Sequence, residues 1–422
     1  MLESKMLRNM VYILVFSFTV LSNLVPHVGS TALVLLTLLG LPICFSPKNR
    51  PKISGQEKAV MWALAAFFGV YLLLFLINGV LGHLEDPRMK YLDHRVRLLS
   101  IVPIVFLLKR IQVKEALLWY SVCSGAVVSG VYALASVFWL LPGERVSGSY
   151  HSIAFGDLAI VMAFISFVGI DFFSKRHRAY MLFPLSAFFL GTLASLLSGS
   201  KGAWIALPAF ALILFFFLGN WLNLWKRVCL SILVGMFFFS AYHIPGTGIE
   251  SRFQQMGQEW SDYKAGFRGP SSMGERLEGW RAAWTIFKDH PVFGAGVGNF
   301  KPIVLRMIAK GEISDNIKKY SQPHNLFLYV MAECGLVGFI AVVGVFAVPL
   351  WVMVSLARKD ALQRSIAYGG IILIIGFIHF GLTESIFGRN INVSFYVITL
   401  GVVLSSSVAD IRGKGPSETD ES

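Results

Sequence analysis

The chain has 422 residues, 55% hydrophobic and only 14% charged, and its mean hydropathy of +0.65 excludes an ordinary soluble domain. A net charge of +13 could suit nucleic acid, but the basic residues fall in short clusters between apolar runs rather than along one arm or stripe. No nucleic-acid partner is expected; topology accounts for the charge.

The start, MLESKMLRNM before an apolar run, resembles a signal peptide, yet it leads into further spans without a small-residue cleavage site, so an uncleaved first helix is expected. Apolar runs long enough to cross ~30 Å of hydrocarbon then recur along the chain. They predict an all-α polytopic membrane protein of about twelve transmembrane helices, near 10–25, 29–46, 58–79, 95–109, 114–141, 153–173, 180–197, 203–219, 227–243, 323–355, 365–385 and 390–408. Helices one to nine occupy 1–243. A large loop with interfacial helices follows over 244–322, then three helices over 323–408 and a polar tail, 409–422, expected to be disordered. Cys44, Cys123, Cys229 and Cys334 fall in or beside apolar runs with no CxxC spacing, and read as core filler.

With a cytoplasmic amino terminus, the cytoplasmic segments hold 19 Lys and Arg, among them SPKNRPK, LKRIQVK, SKRHR, LWKR and ARKDALQR. The short loops on the other side hold 7. The positive-inside rule then puts both termini in the cytoplasm and the 244–322 loop outside; loops longer than about 60 residues cross largely regardless of charge. This loop is the one soluble segment large enough to carry a reaction chamber.

Three stretches could carry chemistry. LSGSKGAW, at the outer junction of spans seven and eight, sets Lys201 among small residues that leave backbone amides free, which suits a phosphate; a snorkelling end-anchor explains it as well. In the loop, SMGERLEGWRAAWTIFKDHPVFGAGVGNF begins with Leu277, Trp280, Trp284 and Phe287 on one helical face, as in a helix lying at the membrane surface. Arg276 and Arg281 sit in its amino-terminal half, where a cation opposes the helix dipole, a hint of function that lipid phosphates could equally explain. GAGVGNF lacks the preceding strand of a dinucleotide fingerprint and is read as a turn. Third comes SQPHNLFLYVMAECGLVG: Pro323 suits a first helical turn and Ser321 its cap, so His324 would stand at the outer end of span ten, where the dipole favours a neutral, proton-accepting imidazole. Gly335 and Gly338 lie close to the same face and would let a helix or a lipid chain approach.

Weaker candidates are Arg145, His151 and Asp157 near the outer end of span six, and Glu384 and Arg389 at the outer turn between spans eleven and twelve. Asp157, an ionisable group inside a span, is functional by default, although a buried ion pair explains it equally. Arg88, Lys90, Arg95 and Arg97 suit either acceptor phosphates or interfacial anchoring, the latter being favoured.

Taken together and in this order, these segments resemble the O-antigen ligase family, whose architecture is similar to that of the O-antigen polymerases. His324, Asn325, nine residues, Gly335, two residues and Gly338 reproduce the family's histidine motif. A basic residue in a small-residue outer loop and an arginine in the large loop complete the pattern, and the likeness spans most of the chain. The resemblance implies a glycosyltransferase-C-like membrane enzyme of the bacterial inner membrane with a periplasmic site and no cofactor or metal. It would transfer polysaccharide from undecaprenyl diphosphate to a sugar hydroxyl of the lipid A core with inversion. By position, His324 would be the general base and Arg276 and Lys201 would hold the diphosphate; Arg281, Asn325, Arg145, Asp157 and Glu384 would support them. The family often has arginine where this chain has Lys201, and lysine keeps the charge without the bidentate fork.

The chemistry stands without the family: fixed cations can stabilise the charge that develops on a departing diphosphate, and the outer segments contain no DxD or HExxH metal signature. The nearest rivals are an O-antigen polymerase and a protein O-oligosaccharyltransferase. A lipid-linked sugar transporter should place its ionisable groups near the midplane, whereas here they gather at the outer surface.

Overall fold

The structure, a computed structural model, describes residues 2–48, 50–82, 90–142, 144–219, 222–243, 249–266, 271–359, 361 and 363–407. Those residues form helices joined by turns, with no strand among them. The expected tail lies outside the described residues.

In chain order the helices are α1 (Leu2–Leu21), α2 (Val28–Phe45), α3 (Gly55–Val80), α4 (Lys90–Val96), α5 (Ile101–Arg110), α6 (Glu115–Ala135), α7 (Ser152–Val168), α8 (Ile170–Ser174), α9 (Leu182–Ser198), α10 (Lys201–Ile205) and α11 (Leu207–Leu218). They continue as α12 (Leu224–His243), α13 (Ile249–Lys264), α14 (Ser272–Asp289), α15 (Phe300–Ala309), α16 (Leu326–Lys359), α17 (Arg364–Gly381) and α18 (Asn390–Ser407). The predicted spans fall mainly on helical stretches, with 323–325 and 382–385 outside helix. Among the described residues, seven stretches are long and apolar enough to cross a membrane: Val28–Phe45, Gly55–Val80, Glu115–Leu140, Ser152–Ser174, Arg178–Ser198, Leu326–Lys359 and Arg364–Gly381. Leu207–Leu218 and Asn390–Ser406 are apolar but shorter.

Helix α7 is the axis of the bundle. All its residues but Ile153 are buried, against α6, α9 and α17. Small residues permit that closeness: a Cβ on Gly130 of α6 would stand 2.6 Å from the Leu190 carbonyl oxygen of α9. By contrast α3 turns Leu73, Leu76, Ile77 and Val80 outward, as a lipid-facing helix does.

The two ends of the bundle differ in chemistry. At one end Lys109 pairs with buried Glu57 at 2.6 Å, the Lys114 amide donates to the Tyr12 hydroxyl, and Ser365 donates to Asp171; the basic clusters counted along the sequence lie at this end. At the other, the turns after α9 and α17 meet the segment that carries α13, α14 and the residues leading into α16. There Gly148 packs on the Asn23 carbonyl, the His27 amide donates to the Tyr150 hydroxyl, and His94 meets Asn390 at 2.6 Å.

Within that segment α14 packs on α16 through Ala282, Ala283 and Ile286, building a second apolar core with Phe300, Val304 and Met307 of α15. Of the aromatic stripe predicted for this helix, Trp284 is half exposed beside Phe287, while Trp280 turns toward the residues that precede α16. Helix α16 is broken at Gly335, whose φ of 61° and ψ of −154° no other residue type adopts readily. Residues 291–296 enter this break: Leu336 donates to the Pro291 carbonyl, and Ala295 and Gly296 donate to those of Ala332 and Glu333. The GAGVGNF stretch is the expected turn, but its glycines serve to dock it into α16. Gly335 thus admits a loop backbone, where a small-residue face for a neighbouring helix or lipid chain is predicted.

Candidate active site

Helix α17 ends at Gly381, and the Glu384 amide donates back to the Phe380 carbonyl, tightening the final turn. This places the Glu384 side chain inside the bundle end, 1% exposed. Opposite it, His324 precedes α16 with φ of 52°, a left-handed conformation uncommon for any residue but glycine. Its Nδ1 lies 3.2 Å from both Glu384 carboxylate oxygens. A carboxylate only accepts, so Nδ1 carries the shared proton and Nε2 is left as the basic ring nitrogen. Gln322 Nε2 and the Ser385 amide also donate to Glu384, and Arg389 stands 3.6 Å away. Burial opposes ionisation of Glu384, but the hydrogen bond from His324, the positive charge of that ring when it is protonated, and the charges of Arg389 and Arg276 outweigh it and hold the carboxyl down to about 2.

The expected start of this helix is corrected. Ser321 does not cap it and Pro323 lies outside it; α16 begins at Leu326, and the Asn325 side chain accepts from the Leu328 amide. Asn325 Nδ2 also donates to the Leu382 carbonyl, fastening the histidine turn to the glutamate turn. Helix α14 packs beneath: Gly279 meets the Pro323 backbone and the Trp280 indole donates weakly to the His324 carbonyl at 3.5 Å. Tyr320 packs edge-on to the imidazole at 4.7 Å while its hydroxyl donates to Glu275.

A group of cations shares this end. Arg276 is half-buried on α14, and its charge acts on Glu384, Lys201 and Arg145 alike. Lys201 begins α10 and pairs at 3.4 Å with buried Glu259 of α13. Burial pushes its ammonium below the ordinary lysine range, Arg276 and Arg252 push it further, and Glu259 opposes them. Arg145 donates to the Ser198 and Gly199 carbonyls at 2.5 and 2.8 Å, closing the end of α9; burial, then Arg252 and Arg276, bring it down to about 10. Asp157 is buried on α7 and accepts from Ser200 at 2.9 Å. His151 caps α7, its Nδ1 accepting from the Ile153 amide, and burial with the charges of Arg389 and Arg145 lowers its pKa.

The structure therefore brings His324, Glu384, Asn325, Arg276, Lys201, Arg145 and Asp157 to one end of the bundle. It does not bring Arg281, which is largely exposed and 4.0 Å from Glu278; five residues along a helix from Arg276, it points roughly 140° away. Nor is Arg95 a surface cation: it is buried, donates to the Tyr91 carbonyl, and stacks on Tyr71 and Tyr329. Arg97 pairs with Asp93. Arg88 and the Lys90 side chain lie outside the described residues. Arg252 and Glu259 are further charged groups of this end, on a helix whose polar sequence carries no sign of what it faces. Among the described residues no group of three or more His, Cys, Asp or Glu side chains is placed to hold a metal ion.

Residues 186–343, running from α9 through the histidine turn and past the break in α16, match the family described as O-Antigen ligase. Over this stretch the chain is similar to the O-antigen ligase family. An uncharacterized protein of Haemophilus influenzae is 25% identical over 398 residues, covering 94% of this chain and 98% of the relative. The family match ends before Glu384, so the partner of His324 comes from a part of the chain that the O-antigen ligase match does not reach.

Proposed function

We propose that this chain is an O-antigen ligase, which transfers polysaccharide from undecaprenyl diphosphate to a sugar hydroxyl of lipid A core at the periplasmic face of the inner membrane. The observation that carries the reading is the His324–Glu384 pair beside Arg276 and Lys201 at one end of the bundle. In the step, the acceptor hydroxyl gives its proton to His324 Nε2 and its oxygen attacks the anomeric carbon. The bond from that carbon to the diphosphate oxygen breaks on the opposite face, with inversion, and the electron pair leaves with the diphosphate. Glu384 fixes the imidazole tautomer and stabilises the imidazolium, the role a carboxylate plays in an acid–base–nucleophile triad. Arg276 and Lys201 meet the charge growing on the leaving group, the task a metal ion performs elsewhere.

The basic clusters at the opposite end of the bundle support a cytoplasmic placement for that end and a periplasmic one for the site. Arg145 is assigned to holding the α9 turn, because its guanidinium is spent on two carbonyls, and Asp157 to holding Ser200 beside Lys201.

Purified protein mixed with polysaccharide-diphospholipid and core lipopolysaccharide, with and without chelator, tests the reading. A ladder on the lipid A core that survives chelation is the expected result. Longer diphospholipid chains would make the protein a polymerase, and a ladder lost with chelator would remove the metal-free mechanism.

A further inference from the structure

At the basic end of the bundle, far from the histidine, a cavity of about 790 Å³ opens between α3, α5 and the turn joining α2 to α3. We propose that it binds an anionic glycerophospholipid of the surrounding membrane, headgroup and upper acyl chain together.

One wall is cationic: Arg50, Lys52 and Lys58 line it. The other is apolar, formed chiefly by Met61, Trp62 and Phe106. Among the described residues no acidic side chain lines the cavity. Glu57, next to Lys58 in α3, is fully buried and occupied by Lys109 at 2.6 and 2.8 Å and by the Ser54 amide. The positive charge of the wall is therefore not cancelled locally. Arg50 is already held in place, its guanidinium 4.8 Å over the Phe106 ring, which orients its donors with little further loss of freedom.

The two walls select an amphiphile. A free anion would use the cations and leave the apolar wall wet; a zwitterionic lipid would bring its own ammonium against three cations. The cavity follows α3 from its first turn, at Lys58, to Ala65, within a stretch able to span the membrane. A headgroup at Lys58 would thus lay its chain against Met61 and Phe106. Trp62, 73% exposed, stands at the rim, where indoles favour the interface. Basic pockets between helices at a membrane's cytoplasmic side are of the type that holds anionic headgroups.

The test uses the full chain in detergent, with native mass spectrometry and thermal melting in added phosphatidylglycerol, phosphatidylcholine or inorganic phosphate. Phosphatidylglycerol should be retained and raise the melting midpoint, while the other two do neither. Combining Arg50→Gln, Lys52→Gln and Lys58→Gln should weaken its retention by on the order of tenfold or more. Equal retention of the two lipids, the same shift from phosphate alone, or wild-type retention by the triple variant would overturn the site. If that variant does not fold, a photoreactive phosphatidylglycerol on the wild-type protein decides: labelling at 61–65 and 102–106 supports the site, and labelling confined to other segments refutes it.

Discussion

His324 and Glu384 stand 60 residues apart in sequence, yet the imidazole Nδ1 is 3.2 Å from each carboxylate oxygen. Helices α16 and α17 form the hairpin that makes this contact, and Asn325 locks it by bonding to the Leu382 carbonyl. If the pair is the base and its orienter, His324→Ala should abolish transfer while donor binding stays largely intact. Glu384→Gln keeps the shape but lets the ring choose the wrong tautomer, and should lower kcat by roughly 10²–10⁴ with little change in KM. Steady-state kinetics on both lipids separates these outcomes; a Glu384→Gln enzyme of normal kcat would leave the carboxylate a purely structural role.

The same carboxylate makes a stability prediction. Its pKa is held near 2 in the fold, below the ordinary value of 4.5, so the folded state binds its proton less readily than the unfolded state. That contribution is present in full above about pH 4.5 and is lost as pH falls toward 2; by linkage it is on the order of 3 kcal/mol. Melting of the wild type and of Glu384→Gln should therefore differ most above pH 5 and converge as pH falls. A gap independent of pH between 6 and 3 would show that the ionised carboxylate is not what stabilises this turn.

Lys201 offers a sharper distinction. It shares its charge with Glu259 at 3.4 Å, and lysine supplies a point charge rather than a fork. Lys201→Ala should raise the donor KM by about tenfold or more, and Lys201→Arg should hold or lower it, since a guanidinium can meet Glu259 and a diphosphate together. A Lys201→Ala enzyme whose donor KM is unchanged would make Lys201 only the anchor of α13.

Part of this arrangement is legible in the sequence because bilayer thickness dictates the length of an apolar run, and seven of the predicted spans are helices long and apolar enough to cross a membrane. His324 was marked by its motif spacing, and Arg276 by a charge set against its helix dipole. Glu384 drew attention only as an ionisable group at a turn, since nothing local to it announces a partner two helices away. The separation of Arg276 from Arg281 rests on helical phase relative to α16, and the buried face of α14 that sets this phase consists largely of small residues, which a search for apolar stripes passes over. Gly335 shows a further limit, because a glycine that thins a packing face and one that breaks a helix are the same letter.

That last ambiguity can be settled by substitution. In Gly335→Ala the new Cβ would lie 2.4 Å from the Val292 carbonyl carbon and oxygen and 2.6 Å from the Gly294 amide nitrogen, at a φ of 61° that alanine resists. Neither backbone can yield without undoing the hydrogen bonds from Leu336 to Pro291 and from Ala295 and Gly296 to α16. The cost should be roughly 2–4 kcal/mol, with a lower melting midpoint and new protease cleavage within 291–299. Gly344, nine residues on in the same helix, is the matched control. A Cβ there meets nothing within 4 Å, so Gly344→Ala should be neutral or slightly stabilising, as alanine is in a regular helix. If both variants melt alike, α16 does not depend on its break at Gly335, and the docking of residues 291–296 is a consequence of the fold around it rather than a condition for it.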